Sequence, residues 1–467
     1  MPEAAGFSKR FPQRDGLRCG LDGMGAFGAN LAWRGGKRAP DKNLRAKSPK
    51  LSIYTALGCA GRSSGVAGAL QEGHMLSVLQ VTPELNAGGV ERTTLEMAEA
   101  ISRAGGLALV ASAGGRLEPD LEAAGGELIK LPVQTKNPLQ AVANAFALAS
   151  IVRKRGVQCV HARSRAPAWS ALAAAKMAGV PFVTTFHGIY NARSPLKRFY
   201  NSIMARGDTV IANSEYTREH ILSHYDVEPE RVVAIPRGVD LGVFNYDVVK
   251  SDDIAAVRAL WGLASDDARC VLIAPARMTR WKGQLVLIEA IAQIEKRRPG
   301  GLKVILAGDP QGRRGYMEEI EAAIDRGGLR EVVAVAGHVS QMPVAFAASD
   351  MAVFPVTEPE AFGRGAVEAQ AMGVPVIASN LGGYTETVVE GETGLLVPPG
   401  AATPLANAIE HMIDLGSQAR KAMGRRGRDR VRSLYSKQAL QTATLAVYER
   451  LLRKAQQRKS TRSETVL

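Results

Sequence analysis

The feature that most limits what this chain can fold into is a long alternation of short apolar runs with helical patterns, beginning at Met75. The run at 75–82 predicts a buried strand, followed by a glycine turn and an amphipathic helix. Further strand-like runs lie at 107–111, 158–161, 182–186, 209–212 and 232–235. Helical patterns separate them, for example at 139–155 and 166–178. Strands that alternate with helices favour a parallel sheet with helices on both faces.

A second alternating series indicates a second domain of the same kind. After Pro236 the pattern loosens into a polar stretch that reaches about residue 253. Strand-like runs then return at 271–274, 303–307, 332–336, 351–355 and 374–378. We therefore expect an α/β protein of two doubly wound, Rossmann-like domains that face each other across a cleft. The expected domains are 75–245 and 246–435, with a helix in 436–467 that crosses back and ends in a basic tail.

Residues 1–74 show neither a helical nor a strand period and are rich in Gly, Arg, Lys and Ser. We expect a disordered tail or a mis-called start, with the native protein beginning at Met75. This segment holds 12 Lys and Arg against 5 acidic residues, within a chain whose net charge is +14. Much of the remaining excess lies between residues 425 and 459. It indicates a solvated helix face or an anionic membrane surface, and no motif suggests a nucleic-acid partner.

The cysteines and the hydropathy favour the cytoplasm. Cys19, Cys59, Cys159 and Cys270 lie far apart, which suits neither a disulfide framework nor a zinc site. No apolar run approaches the roughly 20 residues that a membrane span requires. We therefore expect a cytoplasmic protein, with peripheral attachment to the inner face of the inner membrane left open.

The strongest chemical signal is the segment Glu360-Ala-Phe-Gly-Arg-Gly-Ala-Val-Glu368. Gly363 and Gly365 allow close approach of a ligand, and a helix that begins near Arg364 offers free N–H groups to an anion. Glu360 and Glu368 are expected in one crevice at the carboxyl ends of the strands. There they could bind ribose and sugar hydroxyls. Such a pair is common by itself, and the specificity comes from the residues after it: Ala-Gln-Ala-Met-Gly-Val-Pro-Val-Ile-Ala-Ser379, Gly382-Gly383, Glu386 and Thr393-Gly-Leu-Leu-Val-Pro398.

These motifs resemble the family 4 retaining glycosyltransferases (glycosyl transferases group 1), which have the GT-B fold, and the resemblance extends from Met75 to about residue 450. It implies a bacterial cell-envelope hexosyltransferase that uses a UDP- or GDP-linked sugar. It implies that Glu360 contacts sugar hydroxyls and Glu368 the ribose, with Phe362, Gly363 and Arg364 at the donor. Arg364 departs from the family pattern, which usually has an apolar residue there. It either adds an anion contact or selects the donor.

Two cations form the next signal, in Ala274-Pro-Ala-Arg277-Met-Thr-Arg-Trp-Lys282-Gly283. Cations at the head of a helix can clamp a diphosphate and neutralise its charge as it departs. The resemblance gives Arg277 and Lys282 this role, whereas Arg280 is expected to point elsewhere. Gly308, in a strand-end turn, is expected beside the nucleotide base.

In the first domain the turn with Gly88 and Gly89 lets backbone N–H groups face the cleft, although the fuller dinucleotide spacing Gly-x-Gly-x-x-Gly is absent. It looks like the family loop that approaches the donor diphosphate and the acceptor. His187, in Thr184-Thr-Phe-His187-Gly188, matches the strand-end His-Gly whose imidazole faces the donor sugar. His161 is treated as structural, with a place beside the acceptor pocket left open. Arg237 stands where many members have Asn.

The resemblance implies front-face substitution with retention, because such enzymes show no well-placed carboxylate nucleophile. Arg277, Lys282 and the Gly88–Gly89 backbone would stabilise the departing nucleoside diphosphate, whose oxygen accepts the acceptor's proton. His187 would steady the oxocarbenium-like sugar. No metal and no cofactor are expected, because fixed cations take the place of a divalent ion.

The acceptor side is expected within residues 85–200. The basic cluster of Arg193, Lys197 and Arg198 suits an anionic acceptor, such as a lipid-linked, polysaccharide or lipopolysaccharide glycan. A plain exposed helix face is the alternative for this cluster. For the whole chain, the alternatives are a non-catalytic, membrane-associated scaffold and a sugar-nucleotide epimerase on the same fold.

Overall fold

The computed structural model describes residues 75–86, 88–190 and 194–464. The expectations for residues 1–74 and for Arg193 lie outside these ranges. The described residues belong to one compact unit, so contacts between its parts can be described.

The first half of this unit is a seven-stranded sheet in the order β3-β2-β1-β4-β5-β6-β7, and all its neighbouring strands are parallel. Its strands are β1 Ser77–Val81, β2 Leu107–Ser112, β3 Gly126–Lys130, β4 Cys159–Ala162, β5 Phe182–Phe186, β6 Thr209–Ala212 and β7 Val232–Ala234. Its helices are α1 Gly89–Arg103, α2 Glu118–Ala123, α3 Pro138–Lys154, α4 Arg165–Ala178, α5 Pro195–Ser202 and α6 Glu215–His224.

The second half is a six-stranded parallel sheet in the order β10-β9-β8-β11-β12-β13. Its strands are β8 Cys270–Pro275, β9 Leu302–Ala307, β10 Val333–Gly337, β11 Met351–Phe354, β12 Val376–Ser379 and β13 Gly394–Val397. The helices from the linker onward are α7 Ser251–Leu260, α8 Gln284–Arg297, α9 Arg314–Arg326, α10 Met342–Ala347, α11 Arg364–Ala371, α12 Tyr384–Thr387, α13 Ala402–Asp414, α14 Gly416–Leu434 and α15 Lys437–Glu464.

Local chemistry explains where several helices begin. Asn137 precedes α3, and its side chain accepts a hydrogen bond from the Leu139 N–H at 2.9 Å. Ser214 caps α6 in the same way, accepting from the Thr217 N–H at 2.9 Å. Such side chains satisfy donors that have no partner within the helix. The central strands are fully buried, as continuous apolar runs predict for a sheet covered on both faces.

The final helix α15 crosses back from the second half of the unit to the first. Its buried residues Leu440, Val447, Tyr448 and Leu451 join an apolar cluster with residues of β1, α1 and β2. Gln441 donates a hydrogen bond to the Glu96 carbonyl of α1 at 2.7 Å. The helix thus ties the chain end to the first sheet.

The structure confirms the predicted fold class, two doubly wound parallel sheets of an α/β protein. The predicted strand runs begin and end within two residues of the observed strands. The last helix, expected within residues 436–467, continues to Glu464 and includes most of the basic tail. The edge strand β3 was not singled out, because none of its residues is fully buried and Glu127 and Lys130 are exposed. Within the described residues, no helix is both long and apolar enough to span a bilayer.

Candidate functional site

The predicted site residues lie where strands of the two sheets end. Gly88 and Gly89 follow β1, and His187 follows β5. In the second sheet, Arg277 follows β8, Gly308 follows β9 and Glu360 follows β11. Ligands of open parallel sheets bind beyond the carboxyl ends of the strands. Both halves of the molecule therefore present their polar turns at the edge where binding is expected.

Lys282 and Glu360 form an ion pair between the turn before α8 and the loop before α11. The Tyr384 hydroxyl donates to the same Glu360 carboxylate at 3.2 Å. Burial, and then the charge of Glu360, raise the pKa of Tyr384 well above its usual value, so the phenol keeps its proton. The Lys282 ammonium also lies 4.1 Å from the ring centre of Trp281. A carboxylate and a cation are thus held together at the head of a helix.

Backbone contacts fix the loop that carries Glu360. Its carbonyl accepts a hydrogen bond from the Gly383 N–H at 2.7 Å. Gly363 has a φ of 78°, and a Cβ there would lie 2.7 Å from the Tyr384 ring. Only glycine meets both demands without strain. The loop and the first turn of α11 are therefore positioned together.

Arg364 and Glu368 pair along one face of α11, with Nε 2.7 Å from a carboxylate oxygen. Both side chains are half-buried. Burial raises the pKa of Glu368, although Arg364 and Arg92 of α1 oppose that shift. The carboxylate predicted to meet a ribose therefore has a cation beside it, and a ligand at this place would meet both charges.

Phe362 has a different environment from its neighbours. Its side chain is buried in an apolar cluster with Val239, Val431 and Tyr435. The rings of Phe362 and Tyr435 stack edge to face, with centroids 5.6 Å apart. The predicted donor contact could therefore come only from the Phe362 backbone, because its side chain packs in the core.

Arg277 and Gly308 lie in adjacent turns. The Arg277 side chain is exposed and forms no hydrogen bond or ion pair with any residue that the structure describes. Gly308 packs so closely that a Cβ would lie 1.8 Å from the Ala276 carbonyl oxygen. Arg280 pairs with Glu319 on the outer surface, as expected for a residue pointing away. Of the two predicted phosphate ligands, Arg277 is free to bind and Lys282 is paired.

His187 is held by Arg237, a residue that was not among the predicted site residues. The guanidinium lies 3.1 Å from the imidazole Nδ1 and donates to the His187 carbonyl at 3.1 Å. Burial, followed by the charge of Arg237, lowers the pKa of His187 well below its usual value. Because a guanidinium can only donate, the neutral imidazole accepts at Nδ1 and carries its proton on Nε2. That Nε2 is buried without a partner among the described residues.

Arg237 links the histidine to the glycine turn. A Cβ on Gly89 would lie 1.9 Å from a guanidinium nitrogen of Arg237. Gly88, next to it, has a φ of 147°, a backbone angle that residues other than glycine rarely adopt. The only sequence signal for Arg237 was its place in a strand-end turn where many relatives have Asn.

Glu96 of α1 is a buried carboxylate that was not predicted. Together with Arg237, Glu360 and Arg364 it forms the charged cluster of the site. Burial raises the pKa of Glu96 to about 6, against the opposing charges of Arg364 and Arg92. Arg237 has its pKa lowered to about 10 by burial and then by Arg364, while Glu360 and Glu96 oppose the shift. Charged groups from both halves of the molecule thus lie close enough to affect one another.

Further contacts join the two halves beside this cluster. The Glu386 carboxylate accepts hydrogen bonds from the Glu215 and Tyr216 N–H groups at 2.9 and 2.5 Å, at the start of α6. The hydroxyls of Ser214 and Thr217 donate to the carbonyl of Ala361, in the loop that carries Glu360. The donor-side loop is therefore tied to the first half of the molecule.

His161, the other histidine considered, lies in the core. Its Nδ1 lies 2.6 Å from the Tyr448 hydroxyl of α15, and its Nε2 lies 2.7 Å from the Thr185 hydroxyl. The side chain is fully buried. Its contacts attach α15 to the first sheet, which agrees with the structural interpretation.

Lys197 and Arg198 lie on α5 and are exposed, outside the charged cluster. Two apolar side chains beside them are also exposed, Leu196 at 77% and Phe199 at 56%. Phe199 packs on Trp169, with ring centroids 5.3 Å apart. The structure therefore gives α5 a basic and apolar outer surface.

The described residues include no group of three or more His, Cys, Asp and Glu that could hold a metal ion.

Comparison with known proteins gives matches to both halves. Residues 87–243 match the model of Glycosyltransferase Family 4, and residues 260–430 match that of Glycosyl transferases group 1. A D-inositol 3-phosphate glycosyltransferase from Segniliparus rotundus is 30% identical over 263 residues, covering 53% of this chain and 56% of that protein. The chain spans between 50% and 62% of the lengths of this and similar D-inositol 3-phosphate glycosyltransferases.

Solved structures cover more of the chain. A glycosyltransferase from Rickettsia africae ESF-5 has a TM-score of 0.75 and 33% identity, covering 81% of this chain and 99% of that one. Anabaena Alr3699/HepE, solved in complex with UDP and glucose, has a TM-score of 0.69 and 26% identity, covering 80% and 100%. These matches confirm the predicted family, and the chain belongs to the family 4, group 1 glycosyltransferases with the GT-B fold.

Proposed function

We propose that this chain is a retaining glycosyltransferase that moves a sugar from a UDP-linked donor to an anionic or lipid-linked glycan acceptor. The observation that carries the proposal is the Lys282–Glu360 ion pair, with Arg277 five residues before Lys282 and without a side-chain partner in the described part of the chain. A nucleoside-diphosphate sugar can satisfy these groups at once, with its phosphates on the cations and its sugar hydroxyls on the carboxylate. Family membership supports the same reading.

His187 supplies a further donor for this substrate. Its Nε2–H is buried without a partner among the described residues, so a sugar hydroxyl that accepted its hydrogen bond would remove a desolvation penalty. Arg237 keeps the imidazole in the required tautomer. His187 thus orients the donor sugar and does not act as an acid at neutral pH.

In the proposed front-face reaction, the bond between the anomeric carbon and the leaving phosphate oxygen breaks. The acceptor oxygen bonds to the same face, and its proton passes to the departing diphosphate. Arg277 and Lys282 stabilise the charge that develops on this leaving group. We propose that these fixed cations serve in place of a divalent metal ion.

The choice of UDP over GDP rests on similarity. HepE, 26% identical to this chain, was solved with UDP and glucose. In this proposal Arg364 and Glu368 contact the ribose and its phosphate. The pair offers both a hydrogen-bond donor and an acceptor to the ribose hydroxyls.

The acceptor and the location belong to the same proposal. Lys197, Arg198, Leu196 and Phe199 present basic and apolar side chains together on α5, a combination that suits anionic lipid surfaces. We propose that the protein works peripherally at the inner face of the inner membrane, in lipopolysaccharide or polysaccharide synthesis.

The first experiment measures binding and hydrolysis of UDP-glucose, UDP-N-acetylglucosamine and GDP-mannose by the full chain. A Glu368→Ala variant serves as the site control, and Glu289→Ala, at an exposed position of α8 with no ion pair among the described residues, as the matched surface control. We expect saturable binding and slow hydrolysis of a UDP-sugar, both lost in the site variant alone. Binding without turnover would favour the scaffold, and formation of an epimeric sugar nucleotide would favour the epimerase.

A further inference from the structure

A second polar cavity lies at the opposite edge of the second sheet from the site described above. It has a volume of about 470 Å³. Its walls include the turns 347–350 and 372–375, which precede β11 and β12. These turns are at the amino ends of strands whose carboxyl ends carry the donor loops. A ligand in this cavity is therefore separate from the proposed donor.

Helix α14 forms one wall and places like charges on it. Ser417, Lys421, Arg425 and Arg428 line the cavity at spacings of four, four and three residues, which puts them on one helix face. Arg420 of the same helix also lines it, as does Arg258 of α7 across the cavity. A volume of this size lies in the range of small-molecule sites.

The lining has little negative charge to balance these cations. Asp350 is its single carboxylate among the described residues. One Asp350 oxygen accepts the Val271 N–H at 2.8 Å, and the other lies 3.6 Å from Arg420. Asp247, outside the lining, lies 3.7 Å from Arg428. Two carboxylates therefore face five basic side chains.

Several of the basic groups have unused hydrogen-bonding capacity. Arg420 is 8% exposed, and its Nε is buried without a partner in the described part of the chain, as is the Nε of Arg428. The side chains of Lys421 and Arg425 form no hydrogen bond or ion pair with a described residue. Arg258 and Arg420 are held in place by backbone carbonyls. An oxyanion in the cavity would offer acceptors to the exposed Lys421 and Arg425 side chains and would offset the cost of holding several cations close together.

We propose that this cavity binds a small, multiply charged phosphate group through Arg258, Arg420, Lys421, Arg425 and Arg428. Arginine matches phosphate because its planar fork donates two parallel hydrogen bonds. A soluble oligophosphate or phosphate ester and the headgroup of an anionic lipid share this chemistry. The site goes beyond the proposed transferase function, since it lies at the amino ends of strands whose carboxyl ends carry the donor loops.

The test is calorimetric titration of the full chain with tripolyphosphate, all in an Arg277→Ala background that weakens the proposed donor phosphate site. We expect one saturable site. Lys421→Ala combined with Arg425→Ala should weaken it at least about tenfold, because two charge-assisted contacts are lost. Both residues are exposed on a helix, where alanine is tolerated. The matched control is Arg426→Ala with Lys454→Ala, which removes the same charge outside the cavity and should leave the affinity unchanged.

A second arm titrates vesicles with and without phosphatidic acid. The chain could bind phosphatidic acid but not tripolyphosphate. In that case, loss of phosphatidic-acid binding in the cavity variant would support the site and assign it to a lipid headgroup. An equal loss of affinity in the cavity and control variants would overturn the proposal, as would the absence of saturable binding to either probe. Donor hydrolysis by the chain with Arg277 intact is measured separately, so failure of this site and failure of the transferase function remain distinguishable.

Discussion

At the scale of single residues, Arg277 and Arg280 form a natural comparison. They lie three positions apart and carry the same charge. Arg280 pairs with Glu319 on the surface, whereas the Arg277 side chain has no partner among the residues that the structure describes. If Arg277 stabilises a departing diphosphate, Arg277→Ala should lower kcat/KM by about 10² to 10³. Arg280→Ala should change it less than about twofold. Steady-state kinetics with the preferred donor would decide, and equal effects would count against the assigned role.

Glu96 allows a second prediction, on stability. Burial raises its native pKa to about 6 from a usual value of 4.5. As the pH rises, the unfolded chain therefore loses this proton first, and native stability falls between these two pKa values. Glu96→Gln removes the buried charge, so it should raise the free energy of unfolding by about 2 kcal/mol at pH 8 and by less than about 1 kcal/mol at pH 5.

Urea unfolding at the two pH values measures this difference. Glu99→Gln is the control on the same helix, because Glu99 pairs with Lys437. Burial alone would raise the pKa of Glu99, but its contacts with Lys437, Arg103 and Gln441 together lower it. That variant should lose stability at pH 8. A gain for Glu96→Gln that does not depend on pH would contradict the assigned titration.

At the scale of elements, α15 is attached to the first sheet through the buried pair His161 and Tyr448. Tyr448→Phe keeps the ring but leaves an imidazole nitrogen without its partner. We expect a loss of about 1–3 kcal/mol in the free energy of unfolding. Tyr246→Phe, at a half-exposed ring, should change stability by less than about 0.5 kcal/mol. Similar values for the two variants would mean that the hydroxyl contact contributes little.

The agreement between sequence and structure also varies by element. The strands β5 and β6 occupy the predicted residues because continuous buried apolar runs leave few alternatives. The edge strand β3 was missed because none of its residues is fully buried, so it lacks a continuous apolar run. The start of α11 near Arg364 was predicted, and in the structure Gly363 has the left-handed conformation that ends the preceding loop. Local signals thus predict elements well where burial is continuous or where backbone geometry demands a special residue.

At the scale of the whole molecule, Glu386 connects the two halves by capping α6. A carboxylate there satisfies two free N–H groups and interacts with the positive end of the helix. Glu386→Gln should therefore weaken the contact by about 1 kcal/mol, seen as roughly fivefold faster hydrogen exchange at Glu215 and Tyr216. The Glu390 carboxylate accepts a hydrogen bond from the Leu396 N–H within the second half. Glu390→Gln should therefore not change hydrogen exchange at α6. Unchanged exchange in Glu386→Gln would contradict this account.

The sequence by itself determined the α/β class, the family and the positions of polar turns at strand ends. These follow from local periodicity and from motifs whose residues are near neighbours in the chain. Only the tertiary structure decided which charges meet. Lys282 with Glu360 and Arg237 with His187 are pairs separated by 78 and 50 residues. Burial and Coulomb interactions depend on distance in space, so the raised pKa of Glu96, the packing of Phe362 in the core and the basic cavity beside α14 emerge only once both sheets are packed.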